Sequence, residues 1–460
     1  MLKRAAYERL VSWKKDPHHR ALLVDGARQV GKTYLVRAFA QRHYGTTIEI
    51  NFVESPEAKA VFAGNLDADT LIPQLSAFSG TALTPGDTLI FLDEIQECPR
   101  ARTAIKFLVE DGRFDYIESG SLLGVTYENV PSLPVGYESE LTLYPLSFEE
   151  FCWALGENET ALEMARACFK EEAAVPAVIH QKLMELFKYY LKVGGMPAAV
   201  ARFAQTRDIA QVQSVQKDIL KLYRADIVKY ARNKAHVGAI FDAIPAELSK
   251  KNKRFKLSDL AKSARSERYE SDFIWLADAG VAIPCYNVTE LVAPLRLNRQ
   301  HSVFKLFLCD TGLLVAMLGD GVPFKVLQGE LDINWGAILE NAFAQMLTAN
   351  GFDALYYEKA KHGEIDFVVQ KSGKVVPIEA KSGRIFRAHV ALDNVLRVKE
   401  WGLDFAYVFC RENTTVEVEI PEGRDIQCAI AYMPWYMLAF LKPDTLPDSF
   451  VVELPRRKAT

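Results

Sequence analysis

The stretch Gly26-Ala27-Arg28-Gln29-Val30-Gly31-Lys32-Thr33 fits G-x-x-x-x-G-K-[ST] and lies between the apolar run Ala21-Leu22-Leu23-Val24 and the helix-like Tyr34-Leu35-Val36-Arg37-Ala38-Phe39. Motif, strand and helix agree, which constrains this part of the chain to a strand, a phosphate-binding loop and a helix. Glycines let successive backbone N–H groups turn inward onto phosphate oxygens, and the following helix adds its positive end. Lys32 is expected to reach the β- and γ-phosphates of ATP, and Thr33 to offer its hydroxyl to Mg²⁺. All eight residues from Gly26 to Thr33 are candidate nucleotide contacts.

A second half of a nucleotide site follows at Asp87-Thr88-Leu89-Ile90-Phe91-Leu92-Asp93-Glu94, a buried-strand run ending in two carboxylates, with a helical stretch from Ala101 to Glu110 beyond it. This reads as a Walker B strand. Asp93 is expected to hold Mg²⁺ through water. Glu94 is the candidate catalytic base, because hydrolysis needs a positioned acceptor beside the γ-phosphate.

Further strand candidates are Thr47–Phe52, Tyr116–Ser119 and Leu141–Leu143, alternating with helical segments. That alternation argues a parallel sheet covered on both faces. Ser119-Gly120-Ser121 follows the fourth strand, where a polar sensor of the γ-phosphate or a plain small-residue turn would sit. From Ser147 to about Ala246 the pattern turns helical, carried by residues 148–155, 178–193 and 208–230 and broken once at Gly194-Gly195-Met196-Pro197. Lys256–Lys262 followed by Phe273–Ile283 has the rhythm of a winged helix, with Asp278–Ile283 turning the last helix into the wing.

Composition bounds the class: 460 residues, 49% hydrophobic and 25% charged, predict two to four folded domains with ample core. No apolar run of about 18 residues and no apolar leader segment appear, so neither a membrane partner nor secretion is expected, and the cytoplasm is the expected location. Seven cysteines without a C-x-x-C suggest buried thiols rather than disulfides or a zinc site. The net charge is −4, yet Lys217 to Arg268 holds 14 Lys or Arg against 6 Asp or Glu. Such an excess suggests contact with the DNA phosphate backbone, or else a solvated helical face.

Near the C-terminus, Gly363-Glu364-Ile365-Asp366-Phe367-Val368-Val369-Gln370 and Val375-Val376-Pro377-Ile378-Glu379-Ala380-Lys381 alternate around the turn Lys371-Ser372-Gly373-Lys374. This predicts a β-hairpin. Side chains two apart share a face, so Glu364, Asp366, Glu379 and Lys381 are expected on one side and Ile365, Phe367, Ile378 and Ala380 on the other. Carboxylates with a lysine suit Mg²⁺-dependent phosphodiester hydrolysis, with Mn²⁺ as an alternative cation. Glu340, in the helical run Trp335–Asn341, is the candidate that completes the ligand set with Asp366 and Glu379. The alternative is a two-faced sheet with one solvated charged face.

Asp366, then Glu379-Ala380-Lys381, with Glu340 upstream, resembles the PD-(D/E)XK nuclease superfamily. The whole chain resembles prokaryotic AAA-type ATPases that carry a C-terminal domain of unknown function with a nuclease-like fold. The resemblance rests on Gly26 to Thr33, Leu92-Asp93-Glu94-Ile95-Gln96, Ser119-Gly120-Ser121, Tyr144-Pro145-Leu146-Ser147-Phe148-Glu149-Glu150-Phe151, Gly194-Gly195-Met196-Pro197, Lys305 to Leu314, and the hairpin with Ser382-Gly383. It departs where many members carry Gly-Arg before Pro-Leu-Ser-Phe. Here Pro134-Val135-Gly136-Tyr137 stands instead, so the resemblance assigns no arginine finger, and Arg100 and Arg102 are near only in sequence.

The expected fold class is therefore α/β in three parts: an AAA-type P-loop ATPase core over 1–150, a helical and winged-helix middle over 151–325, and a restriction-endonuclease-like α/β domain over 326–460. The expected function is ATP hydrolysis acting on DNA or a DNA-associated protein partner, self-association included, with a metal-dependent nuclease site at Glu340, Asp366, Glu379 and Lys381. The alternative is a nucleotide-driven switch whose C-terminal domain is a non-catalytic docking module. A small-molecule kinase finds no second substrate pocket in the sequence.

Overall fold

Five short strands in the first third of the chain pair side by side. The computed structural model describes residues 2–121, 134–255, 266–319, 335–424 and 427–444. They are β1 (Ala21–Asp25), β2 (Thr46–Asn51), β3 (Thr88–Asp93), β4 (Asp115–Ser119) and β5 (Glu138–Thr142). They form one parallel sheet in the order β2-β3-β4-β1-β5. β1 and β3 are buried along their whole length because helices cover both faces. Helix Lys32–His43 packs Leu35, Val36 and Phe39 against Leu22, Val24 and Phe91. Helices Ala68–Ser79 and Pro99–Asp111 pack Leu71, Leu75, Ile105 and Leu108 against Leu23, Ile90 and Leu92. The loop after β1, Asp93 at the end of β3 and Ser119 at the end of β4 thus share the carboxyl edge of the sheet, where open α/β sheets form their crevice.

Helices Phe148–Ala154, Glu159–Lys170, Ala177–Val193, Pro197–Thr206, Ile209–Tyr230 and Lys234–Leu248 follow. Three of these six starts carry a side-chain cap, at Ser147, Asn158 and Asp208. Ser147 and Glu150 form a reciprocal capping box, and the Asp208 side chain accepts the N–H groups of Ala210 and Gln211. The break at Gly194-Gly195 has a long-range cause. Gly194 adopts φ 71°, ψ −166°, and a Cβ there would stand 2.1 Å from Asp310 Oδ1. Asp310 accepts the N–H of Gly195 at 2.5 Å and that of Leu313 at 3.0 Å, capping helix Thr311–Met317 while fixing the approach to helix Pro197–Thr206. Burial pushes the Asp310 carboxyl up to about 6, against the backbone N–H groups that favour its ionised form.

The remaining strands build two sheets. β6 (Ala282–Val288), β7 (Arg299–Leu308), β8 (Leu355–Lys359) and β9 (Gly363–Ile365) are ordered β7-β6-β8-β9. β10 (Phe367–Lys371), β11 (Lys374–Ala380), β12 (Phe405–Cys410), β13 (Thr415–Glu419) and β14 (Cys428–Pro434) are ordered β10-β11-β12-β14-β13. Of the winged-helix expectation, Lys256–Lys262 lies outside the described residues. Helix Ser266–Asp278 does end where expected and leads through Gly280 into β6. β6 and β7 pair as an antiparallel hairpin, but β6 also pairs in parallel with β8, so the hairpin is part of a larger sheet. All seven cysteines are free and buried. Among the described residues, no helix is long and apolar enough to cross a membrane.

Candidate functional site

The loop between β1 and helix Lys32–His43 is shaped by residues with positive φ: Gly26 at 129°, Gln29 at 69° and Gly31 at 94°. Gly26 has no room for a side chain, since a Cβ would stand 2.2 Å from the carbonyl oxygen of Leu143 just beyond β5. Lys32 is buried and its ammonium donates to the carbonyls of Gly26 (2.9 Å) and Ala27 (3.0 Å), curling over its own loop. Burial lowers its pKa to about 8, against the raising effect of Glu94, Asp93 and Asp25. The loop is gripped from behind. Buried Arg4 donates to Val30 O (2.8 Å), Tyr144 O (2.7 Å) and Glu150 (3.0 Å), and a Cβ on Gly280 would stand 3.0 Å from the Ala27 nitrogen.

Asp93 is the hub of the site. Its Oδ2 accepts from Thr33 Oγ1 at 3.0 Å and from Asn51 Nδ2 at 2.9 Å, while its Oδ1 accepts from the Ser119 hydroxyl and the Glu94 N–H. Asn51 ends β2 in register with Asp93, so strand pairing delivers it. Glu94 follows in the left-handed region, φ 54°, ψ 46°, a conformation that costs of order 1–3 kcal/mol for a non-glycine residue and clusters at active sites. Its carboxylate accepts from Gln96. Arg28, Gln29, Gly31, Lys32, Thr33 and Glu94 line a cleft of about 1180 Å³ that Trp153 and Pro197 also line. Arg100 and Arg102 are both engaged elsewhere: Arg100 donates to Phe62 O and Gly64 O, and buried Arg102 pairs with Glu138 at 2.8 Å.

The C-terminal hairpin takes the register Phe367↔Ile378 through Lys371↔Lys374. Ser372 and Gly373, at φ 52° and 73°, make the two-residue turn with positive φ that suits the twist of a hairpin. Extending that register by one pair sets Asp366 opposite Glu379, and Asp366 Oδ2 accepts the Ala380 N–H at 2.8 Å. Two expectations need correction. Neither hairpin face is solvated, because Phe367, Val369, Val376 and Ile378 join one core cluster while Val368 and Val375 join another. Ile365 does not share the Phe367 face. The chain bends at Asp366, leaving one sheet as β9 and entering the other as β10, so Ile365 packs with Val368 and Val375.

That bend is what gathers the acids. One oxygen from each of Glu340, Glu364 and Asp366 lies within 4.8 Å of the others. Glu340 comes from helix Trp335–Ala349 and is 4% exposed. Glu379 lies beside this trio and turns its Oε2 to Lys381 Nζ at 2.8 Å. Two lysines that were not expected at this site complete the cluster. Lys305, fully buried on β7, pairs with Glu364 and stands 3.6 Å from Glu340 Oε2, and Lys253 pairs with Glu340 Oε1. Burial, then the charges of Glu340 and Glu379, push Asp366 well above the usual carboxylate range, with Lys305 and Lys253 opposing. Burial likewise raises Glu379, against Lys381. Burial would lower Lys305, but Glu340, Glu364 and Asp366 outweigh it and hold it charged. Among the described residues, nothing donates a hydrogen bond to the buried Glu340 Oε2 or Glu379 Oε1. Hard oxygen donors with unused lone pairs fit a divalent cation held by Glu340, Glu364 and Asp366.

Among the described residues, six cations of the basic run in the middle region are ion-paired, three of them with acids from elsewhere in the chain. Lys221 pairs with Asp218, Arg224 with Asp242, Lys229 with Glu97, Lys250 with Glu247, Lys253 with Glu340 and Arg254 with Glu358.

Residues 18–152 match a family described as an AAA domain. Residues 184–322 and 335–427 match two domains of unknown function, DUF8612 and DUF4143. No curated protein gives a significant match. Similar solved structures include the Walker-type ATPase paby2304 of Pyrococcus abyssi, at 14% identity and TM-score 0.42, covering 69% of this chain and 96% of that one. They also include the Aeropyrum pernix ORC1 protein in complex with DNA, at 13% identity and TM-score 0.28, covering 70% and 93%, and Cdc6p from Pyrobaculum aerophilum, at 13% and 0.26, covering 72% and 97%.

Proposed function

We propose that the chain, whose residues 18–152 match an AAA domain, binds and hydrolyses ATP at the cleft above β1, β3 and β4. The observation that carries this reading is the convergence on Asp93 of Thr33 from the phosphate loop, Asn51 from β2 and Ser119 from β4, with Glu94 next to it. Loop N–H groups receive the phosphates, and Lys32 swings from the Gly26 and Ala27 carbonyls onto the β- and γ-phosphates. Thr33 and Asp93 would hold Mg²⁺, which when bound neutralises charge on those phosphates. Glu94 orients the attacking water and takes its proton, and Ser119 links the γ-phosphate side of the cleft to Asp93. The test is ATP binding and turnover by the full chain against Lys32→Ala. Loss of both in the variant supports the reading, and equal binding by the two proteins overturns it.

A second reading concerns the C-terminal cluster and is favoured by its chemistry: metal-dependent cleavage of a phosphodiester in DNA. Glu340, Glu364 and Asp366 would hold the cation, which when bound supplies Lewis-acid stabilisation of a phosphoryl oxygen. Lys381, held by Glu379, then orients the incoming water. The competing role, a docking module without cleavage, draws support from Lys305 and Lys253, whose ammonium groups already balance the carboxylates. Nicking of supercoiled DNA with Mn²⁺ or Mg²⁺ separates the two. Nicking lost in Asp366→Ala and Lys381→Ala supports cleavage, and no nicking with either metal, with or without ATP, favours docking.

A further inference from the structure

We infer that Arg28, inside the phosphate loop, is the arginine that contacts the γ-phosphate of ATP, and that Asp226 of helix Ile209–Tyr230 holds it when no triphosphate is bound. This rests on the ATP reading above.

Arg28 lies two residues after Gly26, is 42% exposed, and lines the cleft with Lys32, Thr33 and Glu94. Its Nη1 donates to Asp226 Oδ1, and its backbone carbonyl accepts from the Tyr223 hydroxyl at 3.1 Å, one turn earlier on the same helix. Other arginines at the cleft are committed. Arg4 is buried in three hydrogen-bonded contacts, and Arg37 is held by both oxygens of Glu49. Arg28 therefore combines a place on the loop, access to the cleft and a single acidic partner.

Asp226 is 4% exposed, and among the described residues nothing donates a hydrogen bond to its Oδ2. A buried carboxylate that loses its ion-paired guanidinium is strongly disfavoured, so Asp226 restrains Arg28 until a stronger anion competes. The γ-phosphate is such an anion, offering the guanidinium two parallel charge-assisted hydrogen bonds. Lys229 stands three residues along the same helix face, now 3.8 Å from Glu97, and can take over Asp226. Triphosphate binding thus exchanges the partners of Arg28 and loosens helix Ile209–Tyr230 from the loop. ADP, without a γ-phosphate, leaves the pair intact.

The experiment measures ADP and non-hydrolysable ATP-analogue affinities, with kcat and KM for ATP, in the full chain and in Arg28→Ala, Arg28→Lys and Asp226→Asn. Arg28→Ala is expected to lower kcat about 10³-fold. It should weaken the analogue about tenfold while leaving ADP within about threefold, which also shows that the site remains folded. Arg28→Lys, which keeps charge but not the planar fork, should fall between the two. Asp226→Asn should tighten the analogue and leave ADP unchanged. Parallel weakening of analogue and ADP in Arg28→Ala, or an unchanged analogue-to-ADP ratio, overturns the assignment whether or not turnover is observed. If the parent chain binds neither nucleotide, the ATP reading itself fails and takes this one with it.

Discussion

Replacing Gly194 by alanine is expected to damage a junction far from either chemical site, and to do so through Asp310. The backbone there, φ 71° and ψ −166°, is glycine territory that costs a side chain of order 1–3 kcal/mol. The new methyl would also occupy the carboxylate's place, 2.1 Å from Oδ1 and 2.6 Å from Oδ2. Asp310 must then withdraw from the N–H groups of Gly195 and Leu313, each bond to a charged acceptor contributing about 1.5–3 kcal/mol. Together these put Gly194→Ala at about 4 kcal/mol or more, and Asp310→Ala at about 3 kcal/mol after the relief of unburying a carboxylate. Because the two lesions remove the same bonds, the double variant should cost less than their sum by about 2 kcal/mol or more. Equilibrium urea unfolding of the parent, both single variants and the double variant measures this. Additivity within about 0.5 kcal/mol would refute the claim that Gly194 is glycine because of Asp310.

Gly26→Ala should abolish nucleotide binding while leaving the chain folded, since its Cβ would meet the Leu143 carbonyl at 2.2 Å and tilt the loop; retained ADP affinity would contradict this. If the middle region contacts DNA, low-salt filter binding should weaken steeply with salt, and Lys221→Glu with Lys251→Glu should flatten the log–log slope by about one per lost phosphate contact. An unchanged slope would make the basic run a solvated face. Lys253→Met should tighten Mn²⁺ binding at the C-terminal cluster about tenfold by freeing Glu340, whereas titration calorimetry with no Mn²⁺ heat in either protein would remove the cation from the account.

Local pattern carried much of this molecule. The phosphate loop, the strand ending in Asp93-Glu94 and the helices over 148–155 and 208–230 are set by neighbouring residues, so sequence reading places them within a few positions. The hairpin register was equally legible, because Ser372-Gly373 fixes the turn and the turn fixes the pairing. Asn51 was not, since its approach to Asp93 depends on β2 lying beside β3, an order that no local pattern encodes. Lys305 and Lys253 reach Glu340 only because β7 and the segment after helix Lys234–Leu248 cross to the C-terminal acids. The bend at Asp366 also escaped the alternation rule, which presumes one continuous strand. Arg28 is part of the loop motif, yet its pairing with Asp226 spans 198 residues and belongs to tertiary packing.

The most direct test of the central claim is phosphate release from γ-labelled ATP under single-turnover conditions, comparing the full chain with Glu94→Gln. Mg²⁺-dependent release is expected from the parent, and from the variant stable retention of ATP with release slowed about 100-fold or more. Equal release rates would contradict the assignment of Glu94, and no release from a parent chain that binds ATP would contradict the hydrolysis on which the account rests.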